Sequence, residues 1–159
     1  MTEKATLAGG CFWGVEDLFR KLNGVVDTTV GYTGGTLSKP RYEDVKTGRT
    51  GHAESIEIEF DPEKISYEEI LDYFFRLHDP TTVNQQGNDR GTQYRSAIFY
   101  HDEKQREAAE RAVKKAQEKW PRAIVTQVVP ASAFWPAEEY HQDYLRRIPY
   151  GYTCHYVRP

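Results

Sequence analysis

The chain predicts an α+β fold: a two-layer sandwich with a ferredoxin-like core, helices packed on a mixed or antiparallel sheet. Segments whose apolar residues alternate with period two are interleaved with segments of helical period. The longer connections are polar and do not read as crossover helices, which argues against a doubly wound parallel sheet. At 159 residues the chain is long enough for a real core, and 1–159 reads as a single domain.

The elements follow in order. Lys4-Ala5-Thr6-Leu7-Ala8-Gly9-Gly10 reads as a strand ending in two glycines. After Cys11, the apolar residues Phe12, Val15, Leu18, Phe19 and Leu22 recur with helical spacing. Gly31-Tyr32-Thr33-Gly34-Gly35 and Gly48-Arg49-Thr50-Gly51-His52 read as Gly-rich loops, and neither has the order of a phosphate-binding P-loop. Tyr42 falls in a loop between them. Residues 53–60 alternate strictly and read as a half-buried strand, ended by Asp61-Pro62. Ser66-Tyr67-Glu68-Glu69 has the form of a capping box opening a helix to about Leu77. A polar loop over 80–92 carries Asp89 as a turn residue, and a strand over 93–100 begins with Gln93 and Tyr94. Asp102 with Gln105 opens a helix to about Lys119, and 123–129 reads as a further strand. Pro136 suits the first turn of a short last helix reaching Leu145. The tail from about 148 to 159 is aperiodic and carries Cys154.

Composition excludes several classes. The net charge of −3 gives no electrostatic case for nucleic acid or an anionic membrane. No stretch approaches the roughly 20 apolar residues that span a bilayer. The start, Met1-Thr2-Glu3-Lys4, lacks the basic and apolar regions of a secretory signal, so the cytoplasm is the expected location. Two cysteines cannot build a structural zinc site, and a stable disulfide is not expected in a reducing compartment. A transient catalytic disulfide stays open beside two unrelated thiols.

Two residues stand out chemically. Cys11 lies at a strand-to-helix turn, beside free N–H groups and the positive end of a helix dipole, a setting that lowers a thiol pKa. The alternative is a cysteine packed in a Gly-rich turn. Glu54 shares the face of Ile56, Ile58 and Phe60 by the period of two, so its carboxyl points toward the core. It is either a strand end open to solvent or a general acid held neutral by desolvation. Tyr42 and Tyr94 offer phenolic donors, or are ordinary half-buried tyrosines. His52-Ala53-Glu54 has the H-x-E order of zinc deaminases, but the PCxxC partner is missing.

At the level of motifs, Gly10-Cys11-Phe12-Trp13-Gly14 resembles the active-site motif of the peptide methionine sulfoxide reductase A family. The likeness continues through Gly31-Tyr32-Thr33-Gly34-Gly35, Gly51-His52-Ala53-Glu54, the run from Gly87 to Ser96, Tyr140-His141-Gln142-Asp143-Tyr144-Leu145, and Gly151-Tyr152-Thr153-Cys154. The resemblance implies reduction of the S epimer of methionine sulfoxide, free or in proteins, as repair after oxidative stress. It implies Cys11 as nucleophile, Glu54 as proton donor, and Tyr42 and Tyr94 as hydrogen-bond donors to the sulfoxide oxygen. It implies Phe12 and Trp13 as an apolar seat for the S-methyl group and places Asp89 in the same site. Cys154 falls where some members of the family carry the recycling cysteine.

From these roles we expect a Cys11 sulfenic acid, then a Cys11–Cys154 disulfide reduced by an external dithiol, thioredoxin, with no metal or organic cofactor. A monomer is expected. Two rivals stand: a thiol peroxidase or redox sensor using the same cysteine pair, and a peptide-binding module that recognises the sulfoxide without reducing it.

Overall fold

The computed structural model describes residues 1–159. Eight strands and five helices follow in the order β1 (Glu3–Gly9), α1 (Phe12–Phe19), β2 (Val25–Thr33), α2 (Tyr42–Val45), β3 (Ala53–Phe60), α3 (Tyr67–Leu77), β4 (Gln85–Gln86), β5 (Asp89–Arg90), β6 (Ser96–Tyr100), α4 (Glu103–Gln117), β7 (Gln127–Pro130), β8 (Trp135–Pro136) and α5 (Tyr144–Arg147). Six strands form one sheet in the order β7-β6-β1-β3-β2-β8, while β4 and β5 make a separate two-residue hairpin. β1 is antiparallel to both β3 and β6, β2 is antiparallel to β3, and β7 joins β6 in parallel. The central four strands with α1 and α3 as connections are the expected ferredoxin-like core. α4 supplies the crossover that a parallel β6–β7 pair requires.

The core follows from the pleat. Leu7 lies opposite Ile56 and Ala5 opposite Ile58, and with Phe60, Val30, Tyr32 and Ile98 they make one apolar face. Phe12, Val15 and Phe19 of α1, Ile70, Leu71 and Phe74 of α3, and Ala108 and Ala109 of α4 pack on that face. The small side chains of α4 let it lie close to the sheet. Truncating the fully buried Phe74 to alanine would cost about 3–5 kcal/mol. On the other face a smaller cluster gathers Ala8, Ala53, Ala97 and Phe99. The capping box of α3 is present: Glu69 N donates to Ser66 Oγ at 3.0 Å and Ser66 N to Glu69 Oε1 at 3.3 Å. At α4, Gln105 N donates to Asp102 Oδ1 at 2.8 Å.

Four expectations are corrected. Gly31-Tyr32-Thr33 is not loop but the end of β2, where Gly31 lets the carbonyl of Trp135 and the ring of Phe134 approach the strand closely. Tyr42 opens the short helix α2, at whose start Arg41 N donates to Asp44 Oδ2 at 3.0 Å. Tyr94 ends a 3₁₀ turn over Thr92–Tyr94, so the strand starts only at Ser96. Pro136 is the last residue of β8 on the sheet edge, where a missing N–H is tolerated. The helical turns follow it, a 3₁₀ turn over Glu139–His141 and then α5.

The segment between β8 and α5 continues the edge without being a strand. Gln142 Oε1 accepts from Val30 N and its Nε2 donates to Val30 O, both at 2.9 Å. The tail from residue 148 has no regular element but is pinned at two places. His155 Nε2 is 2.7 Å from Gly9 O, and Arg158 N donates to Arg76 O at 2.8 Å. No helix is long and apolar enough to cross a membrane.

Candidate active site

The site forms where β1 ends and α1 begins. Cys11 is the residue before the first helical position of α1, with φ −55° and ψ 122°, so its side chain stands at the helix entrance. Gly10 before it holds φ +100°, and a Cβ there would run into Gln86 and His155, so the turn demands glycine. Glu54 comes from the neighbouring strand β3, opposite Tyr32 of β2, and is 2 % exposed. Phe12 N donates to Glu54 Oε1 at 3.2 Å, so a free N–H of the helix entrance is spent on the carboxyl.

The thiol departs from expectation. Burial pushes the Cys11 thiol well above its ordinary value, the Glu54 carboxyl adds to the rise, and the Trp13 N–H opposes it. At 9 % exposure, desolvation outweighs the one donor the helix entrance offers. Glu54 behaves as expected of a core-facing acid. Burial raises its pKa to about 8, against a lowering by the Phe12 N–H. Both shifts favour the protonated forms at neutral pH, and a Glu54 carboxylate disfavours ionisation of Cys11.

Tyr42 and Tyr94 lie within the fields of both Glu54 and Cys11, and burial raises the pKa of each phenol, which keeps both as neutral donors. Phe12 is 1 % exposed, while Trp13 is half-buried beside it. Asp89 also acts on Cys11, but its nearest partners belong to the tail: Tyr152 Oη donates to Asp89 Oδ2 at 3.2 Å, and Cys154 Sγ lies 3.9 Å from the same oxygen. Cys154 is half-buried, free like Cys11, and raised chiefly by burial. All the singled-out residues therefore gather at the α1 entrance.

Sequence reasoning gave no role to the segment 138–144, which closes the site. Glu138 accepts from Tyr32 Oη at 2.8 Å and from Tyr42 N at 2.9 Å, so one carboxylate sets the place of Tyr42. His141, 2 % exposed, sits between aromatic rings, with centroids 5.2 Å from Phe12, 5.7 Å from Trp13 and 4.8 Å from Tyr42. Tyr144 stacks on Trp13 at 3.8 Å and 11°. The available signal was the motif from Tyr140 to Leu145, whose aromatic and amide residues lie far in sequence from Cys11. Glu16, one turn beyond Phe12, anchors the segment: it accepts from Thr28 Oγ1 and Asp143 N, both at 2.8 Å. Asp143 holds φ 52°, a left-handed conformation that turns the chain into α5.

A buried thiol beside a protonated carboxyl, with two phenols and an apolar wall, fits thiol attack coupled to proton delivery onto a neutral polar group. Comparison with known proteins agrees. The family model for peptide methionine sulfoxide reductase matches residues 3–159. A peptide methionine sulfoxide reductase from Nocardia farcinica is 56% identical over 160 residues, covering 99% of this chain and 92% of that protein. The crystal structure of Mxr1 from Saccharomyces cerevisiae in reduced form superposes with a TM-score of 0.95 at 42% identity, covering 99% of this chain and 93% of that one. Mxr1 in complex with Trx2 matches with a TM-score of 0.69 at 30% identity, covering 99% and 91%. The chain belongs to the peptide methionine sulfoxide reductase family of oxidoreductases.

Proposed function

We propose that the enzyme reduces the S epimer of methionine sulfoxide, free or in proteins, with Cys11 as nucleophile and Glu54 as the acid. The observation that carries this is the placing of Glu54, 2 % exposed and bonded to Phe12 N at 3.2 Å, at the α1 entrance with Cys11, where burial raises the pKa of both groups. Cys11 Sγ attacks the sulfoxide sulfur as Glu54 gives its proton to the oxygen, and the carboxylate takes back the proton the thiol sheds. The oxygen transfers to Cys11, methionine leaves, and a sulfenic acid remains. Tyr42 and Tyr94 donate to the oxygen while its charge builds. Phe12 and Trp13 seat the methyl group, and His141 and Tyr144 fix the indole.

Cys154 then attacks the sulfenic sulfur, releasing water and forming the Cys11–Cys154 disulfide. An external dithiol of the thioredoxin type reduces it, a reading supported by the solved complex of a relative with Trx2. No organic cofactor or metal takes part in these steps. We place the work in the cytoplasm, where thiols are kept reduced, as repair of oxidised methionine by a monomer.

The test mixes the fully reduced protein with separate S and R epimers, without added reductant, and counts methionine and free thiols. About one methionine per chain from the S epimer alone, with loss of both thiols, is expected. Intact thiols and no methionine from either epimer would refute the reading.

A further inference from the structure

Outside the site, one large concavity has no role in the chemistry. It is a groove of about 830 Å³ between α3, α4 and the C-terminal tail, and none of the site residues lines it. Its size falls among small-molecule sites, which run from about 300 to 1,000 Å³. Phe75, Ala112 and Trp120 give it an apolar floor. Arg76, Lys115, Lys119 and Arg158 line it without an acidic partner, since Glu68 is taken by Arg111 at 3.6 Å and Asp72 is the one unpaired acid. A chain of net charge −3 thus gathers positive charge around one apolar cleft.

One wall of this groove is the tail that carries Cys154. Arg158 N donates to Arg76 O, and Arg76 Nε donates to Arg158 O, each at 2.8 Å. The Arg158 guanidinium lies 4.4 Å from the centroid of the Tyr156 ring and 5.5 Å from that of Trp120. This cation–π latch holds the tail four residues past Cys154. The Cys154 thiol meanwhile faces Gln86 O, Asp89 and the His155 ring at 3.8–3.9 Å, and closing a bond to Cys11 takes it off those partners.

We propose that the groove binds a drug-sized organic anion with an apolar or aromatic body, and that its occupation holds the Cys154 tail in the docked position. The second half rests on the reading of Cys154 as the recycling thiol. A ligand that touches Lys115 and Lys119 on the α4 side and Tyr156 and Arg158 on the tail side binds the docked arrangement more tightly than one with the tail displaced. By linkage it slows the tail's departure. The chemistry at Cys11 is untouched, so the effect falls on disulfide formation alone.

The experiment titrates the reduced full chain with 8-anilinonaphthalene-1-sulfonate and with its uncharged analogue N-phenyl-1-naphthylamine, following fluorescence. The sulfonate is expected to bind the wild type more tightly than the uncharged analogue. A Lys115→Glu, Lys119→Glu double variant should weaken the sulfonate about tenfold or more, with methionine release per chain unchanged. Equal affinity for the two probes, or sulfonate binding indifferent to the double variant, would overturn the site. In a second arm the protein meets methionine S-sulfoxide with saturating sulfonate probe. Loss of the second thiol should slow at least about threefold while the methionine released stays the same. An unchanged rate of second-thiol loss would overturn the coupling to the tail. Absence of methionine without the probe would instead mark failure of the reductase reading, with the site still decided by the titration.

Discussion

Trp13 Nε1 donates to His141 Nδ1 at 2.9 Å, joining residues 128 positions apart. Because Nδ1 accepts, the neutral imidazole carries its proton on Nε2, and burial lowers the His141 pKa below the ordinary value. The indole proposed to seat the substrate is thus oriented by a histidine whose protonation burial disfavours. His141→Ala should raise KM for the sulfoxide about 10-fold with a smaller change in kcat, since the residue orders the seat and moves no proton. Steady-state kinetics on the S epimer would show this split. An equal loss confined to kcat would contradict it.

On the proposed mechanism Glu54 gives its proton to the oxygen, so Glu54→Gln should lower kcat/KM by about 10²–10⁴. The wild-type rate should fall on the alkaline side with an apparent pKa near the Glu54 value of about 8, and that limb should vanish in the residual activity of the variant. A pH profile of single-turnover methionine release measures both.

On the proposed mechanism Tyr42→Phe and Tyr94→Phe each remove one donor to the developing oxyanion. Each should cost about 10²–10³ in the chemical step, and the double variant more than either. Rapid-quench measurement of methionine formation isolates that step from disulfide reduction.

Cys154→Ser should release about one methionine per chain and then stall with a thioredoxin-type reductant, while a small thiol restores turnover. Gly14→Ala should bias the same step from the other side. A Cβ at Gly14 overlaps Thr153 Oγ1 and His155 Nδ1, so the tail on both sides of Cys154 must shift. Thiol titration during a single turnover separates the two stages. Full thioredoxin-supported turnover by Cys154→Ser would remove Cys154 from the pathway.

Stability should fall on both sides of mild acidity. Glu54, with a pKa of about 8, and Glu16, with one of about 7, hold protons in the fold that the unfolded chain releases above about 4.5. Between that pH and about 8 they therefore lower stability as pH rises. His78, depressed to about 3 by burial, and His141 and His155, also lowered by burial, refuse protons that the unfolded chain takes up below about 6.5. They lower stability as pH falls. The urea midpoint should be highest between about pH 4.5 and 6.5, and Glu54→Gln should flatten the alkaline decline.

The parts of the site that follow local rules were legible in the sequence. Glu54 is betrayed by alternation alone, because Ile56, Ile58 and Phe60 fix which way it points. Cys11 is betrayed by the change from strand to helical period across two glycines. The sign of its pKa shift was not legible, since it depends on how deeply the thiol is covered and on which group takes the Phe12 N–H. β2 was hidden because glycines placed for close backbone approach look like a loop. Glu138 and His141 reach the site across more than 90 residues, and pattern within a window carries no information about such contacts.

Gln142 bears on how this protein meets other copies of itself. An open strand edge is a template on which a second chain can grow a sheet. Along β2 the ladder with β8 pairs Gly31 and Tyr32, and Ala137 N donates to Val30 O at 2.9 Å. The Gln142 amide accepts from Val30 N and shares its carbonyl, so a side chain occupies the N–H a foreign strand would need. Gln142→Ala would leave the Val30 N–H open on this edge, a place where a second copy could add a strand.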